Sequence, residues 1–292
     1  MRRVVHLSDL HFGTETPRVV EELGESVRAF SPDLVVVTGD ITQRARKTQF
    51  AAARRFFDSL GFPQLIIPGN HDIAPLYQPV RRVLSPYALY RHYIGPALDG
   101  AFYDDALLVL GLSSVQPWRV KEGAISPRQL EWVAEYAQRF PTQLRMLAAH
   151  HPLVEAETGQ RTRRLRRHGA VMTLLDSADI AVCLSGHLHR SFTGLAVTPL
   201  DEAGSVLAVH ASTATSTRLR GHDNAYNRLT LEGSLLRVDA VAYDGQTFRT
   251  LSSSGYERSA GVWHVRAAGV LPAAPPQSSA AGLRGGASSV SP

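Results

Sequence analysis

The chain is poor in sulfur and almost free of lysine. A single cysteine, Cys183, among 292 residues excludes an internal disulfide and any cysteine-rich metal knuckle. It falls in the apolar run Ile180-Ala181-Val182-Cys183-Leu184, where a small buried hydrophobe is expected. No stretch approaches the ~20 apolar residues that a membrane span needs. The amino terminus enters a strand at once through Arg3-Val4-Val5-His6-Leu7, leaving no room for the apolar region of a signal peptide. The expectation is a soluble, cytoplasmic protein with no membrane partner. Of the 31 Lys and Arg residues only Lys47 and Lys121 are lysine. The formal charge of +5 therefore comes from arginine spread along the whole chain, a compositional bias and not a nucleic-acid-binding stripe.

At 44% hydrophobic the chain can bury a large core. Its first two-thirds alternates strand and helix. Short apolar runs at Arg3 to Ser8, Asp33 to Thr38, Gln64 to Pro68, Ala106 to Leu112, Leu144 to Ala149 and Ile180 to Leu184 read as strands. Helical patterns lie between them. Phe50, Ala53, Phe57 and Leu60 fall on one face, with Gly61 placed as the left-handed stop. Ser126 is an N-cap for a helix to about Arg139, with Pro127 at its first position. This alternation predicts crossover units feeding a largely parallel sheet. After residue 190 only strands are expected: Phe192 to Val197, Val206 to His210, Tyr226 to Leu231 and Leu235 to Val241, the last pair joined by a turn at Glu232-Gly233-Ser234. A second, mixed or antiparallel sheet packed on the first would follow. The fold class expected is thus α/β (α+β), two packed mixed β-sheets flanked by helices, in one domain over 1–267. From 268 to 292 the composition is mostly Ala, Pro, Ser and Gly with Arg284 the only charged side chain, which reads as a disordered tail. No internal repeat is present.

Against this background five short segments stand out: Asp9-Leu10-His11, Gly39-Asp40, Gly69-Asn70-His71-Asp72, His150-His151-Pro152 and Gly186-His187-Leu188-His189. Each follows a strand-like run, the end at which open α/β sheets place their ligands. Asp9 and His11, like His187 and His189, are two apart, so in extended chain both side chains point one way. Carboxylates, imidazoles and one amide, without thiolate, suit Mn, Fe, Zn or Co and argue against a structural zinc site. Seven candidate ligands are too many for one ion and suit two, ~3.5–4 Å apart, sharing one carboxylate. A lone strand histidine is usually a hydrogen-bonded core residue, and His6, His92, His210, His222 and His264 are assigned so.

The order D-x-H, G-D, G-N-H-D, H, G-H-x-H resembles the calcineurin-like metallophosphoesterase superfamily over roughly residues 4 to 190. The resemblance implies that Asp9, His11, Asp40 and His189 hold one metal and that Asp40, Asn70, His150 and His187 hold the other, with Asp40 shared. It implies two divalent or trivalent ions drawn from Mn²⁺, Fe²⁺/Fe³⁺, Zn²⁺ or Co²⁺. By the same resemblance His150, two residues before the proline, is the ligand of its pair in place of His151. His71 faces the substrate as the acid for the leaving oxygen. A metal-bridging hydroxide attacks phosphorus while Asn70 helps neutralise the phosphoryl oxygens. Asp72 orients either His71 or a ligand.

The segment Ile41-Thr42-Gln43-Arg44-Ala45 after Asp40 differs from the G-D-x-x-D-R-G run of protein phosphatases. The chain is more similar to class III cyclic-nucleotide phosphodiesterases and related glycerophosphodiesterases. Looser similarities at Gly123 to Ser126, Gln129 to Trp132, Ser212 to Arg218 and Asn224 to Asn227 support that branch. A small phosphodiester is the expected substrate, with nucleic acid not expected and room left for a homo-oligomer. The alternatives are a phosphomonoesterase or nuclease with the same centre, and a non-catalytic metal-binding scaffold. The basic cluster Arg161 to His168 reads as the solvated face of a helix, while Arg218 and Arg220 are candidates for substrate contact.

Overall fold

The computed structural model describes residues 1–119, 122–154, 168–188, 192–198, 201–217 and 223–266. Two sheets lie face to face. The first has seven strands in the order β13 (Val262–Arg266), β12 (Phe248–Ser259), β11 (Leu235–Tyr243), β10 (Ala225–Glu232), β1 (Arg2–Leu7), β2 (Leu34–Thr38), β3 (Gln64–Ile67). The second has six in the order β4 (Gly100–Tyr103), β5 (Leu107–Leu112), β6 (Leu144–Ala149), β7 (Ile180–Ser185), β9 (Asp201–His210), β8 (Phe192–Thr198). In the first, β1, β2 and β3 run parallel. In the second, β5, β6, β7 and β9 do the same, with β4 and β8 antiparallel at the edges.

The side-chain period of two explains why these strands are almost wholly apolar. Val4, Leu34 and Val36 point between the sheets, against Val109, Met146, Val182 and Val209. Their neighbours Val5, Val35 and Val37 point outward, under α1 (Pro17–Phe30) and α2 (Lys47–Leu60), where Leu23, Val27, Phe50 and Phe57 cover them. On the far side Leu108, Leu110, Leu147 and Cys183 are covered by Trp132 and Val133 of α5 (Pro127–Arg139) and by Val171 and Leu175 of α6 (His168–Ser177). Strands buried on both faces need apolar residues at every position, so the runs read as continuous, not alternating. The result is a four-layer helix–sheet–sheet–helix sandwich, as expected for the class.

The helix signals hold. Ser126 Oγ accepts from Gln129 N at 3.3 Å while Gln129 Oε1 accepts from Ser126 N at 2.8 Å, a reciprocal cap. Gly61 ends α2 at φ 75°. The expected division of the sheets is corrected. The late strands do not build a sheet of their own: β8 and β9 complete the second sheet, while β10 (Ala225–Glu232), β11 (Leu235–Tyr243), β12 (Phe248–Ser259) and β13 (Val262–Arg266) extend the first as an antiparallel ribbon beside β1. Period and length identify a strand but do not name its partner, and β1 offered a free edge. β4, β12, β13 and the short helices α3 (Pro79–Leu84) and α4 (Ala88–Tyr93) carry too few periodic residues to have been expected. Among the described residues no helix is long and apolar enough to cross a membrane. Residues 268–292, Arg161 to Arg167, Arg218, Arg220 and His222 lie outside the described residues.

Candidate metal centre

The five segments meet at one end of the sandwich, past the carboxyl ends of β1, β2, β3, β6 and β7. Three strands come from one sheet and two from the other, so the side chains converge across the seam. Asp9, His11 and Asp40 lie close enough for one ligand atom of each to fall within 4.8 Å of the others. His11 Nε2 is 3.6 Å from Asp9 Oδ1 and 3.9 Å from Asp40 Oδ2. The same Asp40 Oδ2 is 3.5 Å from His150 Nε2. His150 Nε2 is in turn 3.1 Å from Asn70 Oδ1 and 3.2 Å from His187 Nδ1. Six of the seven candidate ligands thus form one continuous cluster with Asp40 at its middle. His189, the seventh, lies outside the described residues.

Local backbone geometry departs from the extended chain that the D-x-H spacing suggested. Asp9 and His11 both have φ of 51°, Asp40 50° and His187 70°. They sit in left-handed turns beyond their strands, held by Asp9 N to Gly39 O at 3.0 Å and His11 N to Asp40 O at 2.9 Å. Alternation along a strand therefore does not aim these side chains; two interlocked turns do. The turns approach so closely that only glycine fits at 69 and 186. A Cβ on Gly69 would overlap the backbone and carboxylate of Asp40, and one on Gly186 would overlap Ser8 Oγ and Asp9 Oδ2.

Each candidate ligand is also oriented by a neighbour. His150 Nδ1 lies 2.8 Å from Thr38 O; a carbonyl only accepts, so Nδ1 carries a proton and Nε2 is the atom that faces Asp40 and Asn70. Asp9 Oδ2 accepts from Ser8 Oγ at 2.6 Å and from His187 N at 3.0 Å. Asp40 Oδ1 accepts from His71 N at 2.8 Å, which leaves Oδ2 directed at the two imidazoles. A carboxylate oxygen, an imidazole nitrogen and an amide oxygen converging in this way make a donor set suited to a cation. Ligating imidazoles characteristically give their second N–H to a carbonyl, as His150 does. The donor set fits metal ions.

Electrostatics agree. Asp9, Asp40 and Asp72 are buried together, an arrangement that calls for positive charge. Burial works to raise Asp40, but His150, His71 and His11 outweigh it and hold the carboxyl below its ordinary value. Burial likewise works to lower His11, and Asp9, Asp40 and Asp72 carry it above its ordinary value. Asp72 is pushed up to about 6 by burial and by Asp40, against the backbone donors of Gly69, Thr42 and Ile41.

Among the described residues, the Asp72 carboxylate hydrogen-bonds neither to the His71 ring nor to a candidate ligand's side chain. It accepts from Ile41 N at 3.0 Å, Thr42 N at 2.8 Å, Thr42 Oγ1 at 2.9 Å and Gly69 N at 2.9 Å, tying the loop after β2 to the loop after β3. The His71 ring stands half-buried beside the cluster, edge-on to His11 at 4.9 Å between centroids, with Nδ1 2.8 Å from Gln43 O. His151 lies with Nδ1 2.8 Å from Ser114 Oγ, its ring packed on that of His187 at 4.7 Å between centroids. Of the assumed core histidines, His6 and His210 are buried and bonded to Thr38 Oγ1 and Ser185 Oγ, whereas His92 on α4 and His264 on β13 are exposed.

Sequence reasoning missed the brace behind the first turn. Thr213 Oγ1 donates to Asp9 O at 2.7 Å and Thr215 Oγ1 to Leu10 O at 2.6 Å. These threonines hold the Asp9–His11 turn from two hundred residues away, so no local spacing could have revealed them.

A family model described as calcineurin-like phosphoesterase matches residues 2–191. A probable glycerophosphodiester phosphodiesterase GpdQ of Arcobacter nitrofigilis is 26% identical over 56% of this chain and 59% of its own length. The 3',5'-cyclic adenosine monophosphate phosphodiesterase CpdA of Escherichia coli is 27% identical over 64% of this chain and 70% of its own. The chain thus spans less than two thirds of the first relative's length. A dimetal phosphatase from Danio rerio shares the fold, with a TM-score of 0.62 at 14% identity, covering 88% of this chain and 99% of that one.

Proposed function

The chain belongs to the calcineurin-like phosphoesterase family, a family of phosphoester hydrolases, and from that premise we propose that it hydrolyses small phosphodiesters, cyclic nucleotides foremost, at a two-metal centre. The observation that carries this reading is the position of Asp40 Oδ2, 3.9 Å from His11 Nε2 and 3.5 Å from His150 Nε2, between two groups of donors. Asp9, His11, Asp40 and His189 would hold one ion; Asp40, Asn70, His150 and His187 would hold the other. When bound, two such ions neutralise phosphate charge and bring the pKa of water toward neutrality.

The chain's own residues supply orientation and protons. Thr38 O fixes the His150 tautomer so that Nε2 remains a ligand atom. Ser8 Oγ and His187 N immobilise Asp9 Oδ2 and leave Oδ1 toward the centre. His71 donates the proton that the leaving oxygen takes when the P–O bond breaks. Its Nδ1–H is engaged by Gln43 O, so the proton given up is the Nε2–H of the doubly protonated ring. The choice of diesters is supported by relatives named as diesterases of two kinds. Initial rates of the Mn²⁺-loaded protein on cyclic AMP, a glycerophosphodiester, a nucleoside monophosphate and single-stranded DNA test it. The two small diesters should turn over fastest. A higher rate on the monophosphate or on DNA would replace the reading by a monoesterase or a nuclease.

A further inference from the structure

The short helix α3 is amphipathic in the opposite sense to a surface helix. Of its two arginines Arg82 is turned inward at 8% exposure and Arg81 is half-buried, its guanidinium donating to Gln78 Oε1 at 3.0 Å. Val80, Val83 and Leu84, at spacing i, i+3 and i+4, face outward at 70%, 51% and 78%. The inversion is built in. The Arg82 guanidinium donates to Pro117 O at 2.6 Å and to Ala74 O at 2.5 Å, and Tyr87 Oη donates to Val115 O at 2.8 Å. These bonds lock the helix onto the loop that carries Trp118. Leu76 and Tyr77, just before the helix, and Trp118, next to the Pro117 that Arg82 holds, are exposed as well, at 62%, 56% and 69%.

With ~200 Å² for a whole aromatic side chain and about half that for Val or Leu, the six residues display on the order of 500 Å² of apolar surface. Exposed apolar surface of this size concentrated in one region is often functional. We propose that this face is the twofold interface of a homodimer. Two copies brought together bury ~1,000 Å² from these side chains alone, the size at which a specific interface becomes tenable, and a polar rim adds more. An uncharged patch is complementary to itself, as a twofold contact requires, and aromatic side chains are enriched at such cores. A bilayer is the less suited occupant, because the cations beside the patch among the described residues are already engaged: Arg82 by carbonyls, Arg81 by Gln78 Oε1 and Arg119 by Glu122. The patch begins four residues after Asp72, so the second copy would lie against the segment that continues from the Asn70–His71 loop.

Sedimentation velocity of the full chain from ~1 µM to ~100 µM tests the proposal. The wild type should sediment at the mass of two chains at the upper concentration. Val80→Glu with Leu84→Glu should sediment as one chain with an unchanged circular-dichroism spectrum. Leu251→Glu, at an exposed apolar residue on β12, should remain dimeric. Should the double variant fail to fold, amide exchange across 76–84 in the wild type decides: it should be slower at the upper concentration. A wild type that is monomeric throughout, a dimer that survives Val80→Glu/Leu84→Glu, exchange that ignores concentration, or a monomer that floats with phosphatidylserine vesicles would each overturn it.

Discussion

Asp9, His11, Asp40 and His187 hold φ between 50° and 70°, a region that costs a non-glycine residue of order 1–3 kcal/mol. Four such residues in one cluster of buried polar groups locate the strain where the chemistry is proposed. Its benefit is geometric, since left-handed turns let two loops interlock and bring side chains from five strands to one place. His71 differs from them. It is half-buried, its ring is fixed by Gln43 O at 2.8 Å, and its side chain is not among the converging donors. His71→Ala should therefore retain bound metal while kcat on an aryl phosphodiester falls by ~10²–10⁴, checked by metal analysis alongside kinetics. An unaltered rate would remove it from the role of acid.

At the scale of elements, the two sheets contribute strand ends and the loops supply precision. The strand ends were legible, because each motif follows an apolar run that only a doubly covered strand needs: Val4 to Leu7, Leu34 to Thr38 and Ile180 to Leu184 are all buried. How the loops are fixed was not legible, because Asp72, Thr213 and Thr215 act through backbone groups distant in sequence. The same limit explains β10 to β13, whose patterns identified two of the strands without naming β1 as the neighbour. Asp72 is the strongest test at this scale. Asp72→Ala leaves the N–H groups of Ile41, Thr42 and Gly69 without their acceptor, in the loops that bear Asp40 and Asn70. Metal affinity should fall ~10–100-fold, as for loss of a group that orients ligands, read by metal titration. An unchanged affinity would show that the loops hold their register without it.

Across the whole molecule, a polar seam runs under the centre between the sheets. His6 of β1 and His210 of β9 are buried neutral, pulled from 6.5 to about 3 and to about 4 respectively, in both cases chiefly by burial. The unfolded chain protonates these rings below about 6.5 and the folded chain does not, so stability is full above that pH and declines as pH falls toward 4. Each unit of depression is worth ~1.4 kcal/mol. Urea midpoints of the chelated protein from pH 7.5 to pH 4.5 should fall more steeply than those of a His6→Gln/His210→Gln variant that still folds; equal slopes would refute it. The central claim, however, is the shared centre at Asp40. It is tested most directly by turnover of an aryl phosphodiester as Mn²⁺ is added to the metal-free protein in measured equivalents. Activity should rise to a plateau at two equivalents per chain and be absent from Asp40→Ala at every ratio. A plateau at one equivalent, or no turnover with two ions bound, would contradict it.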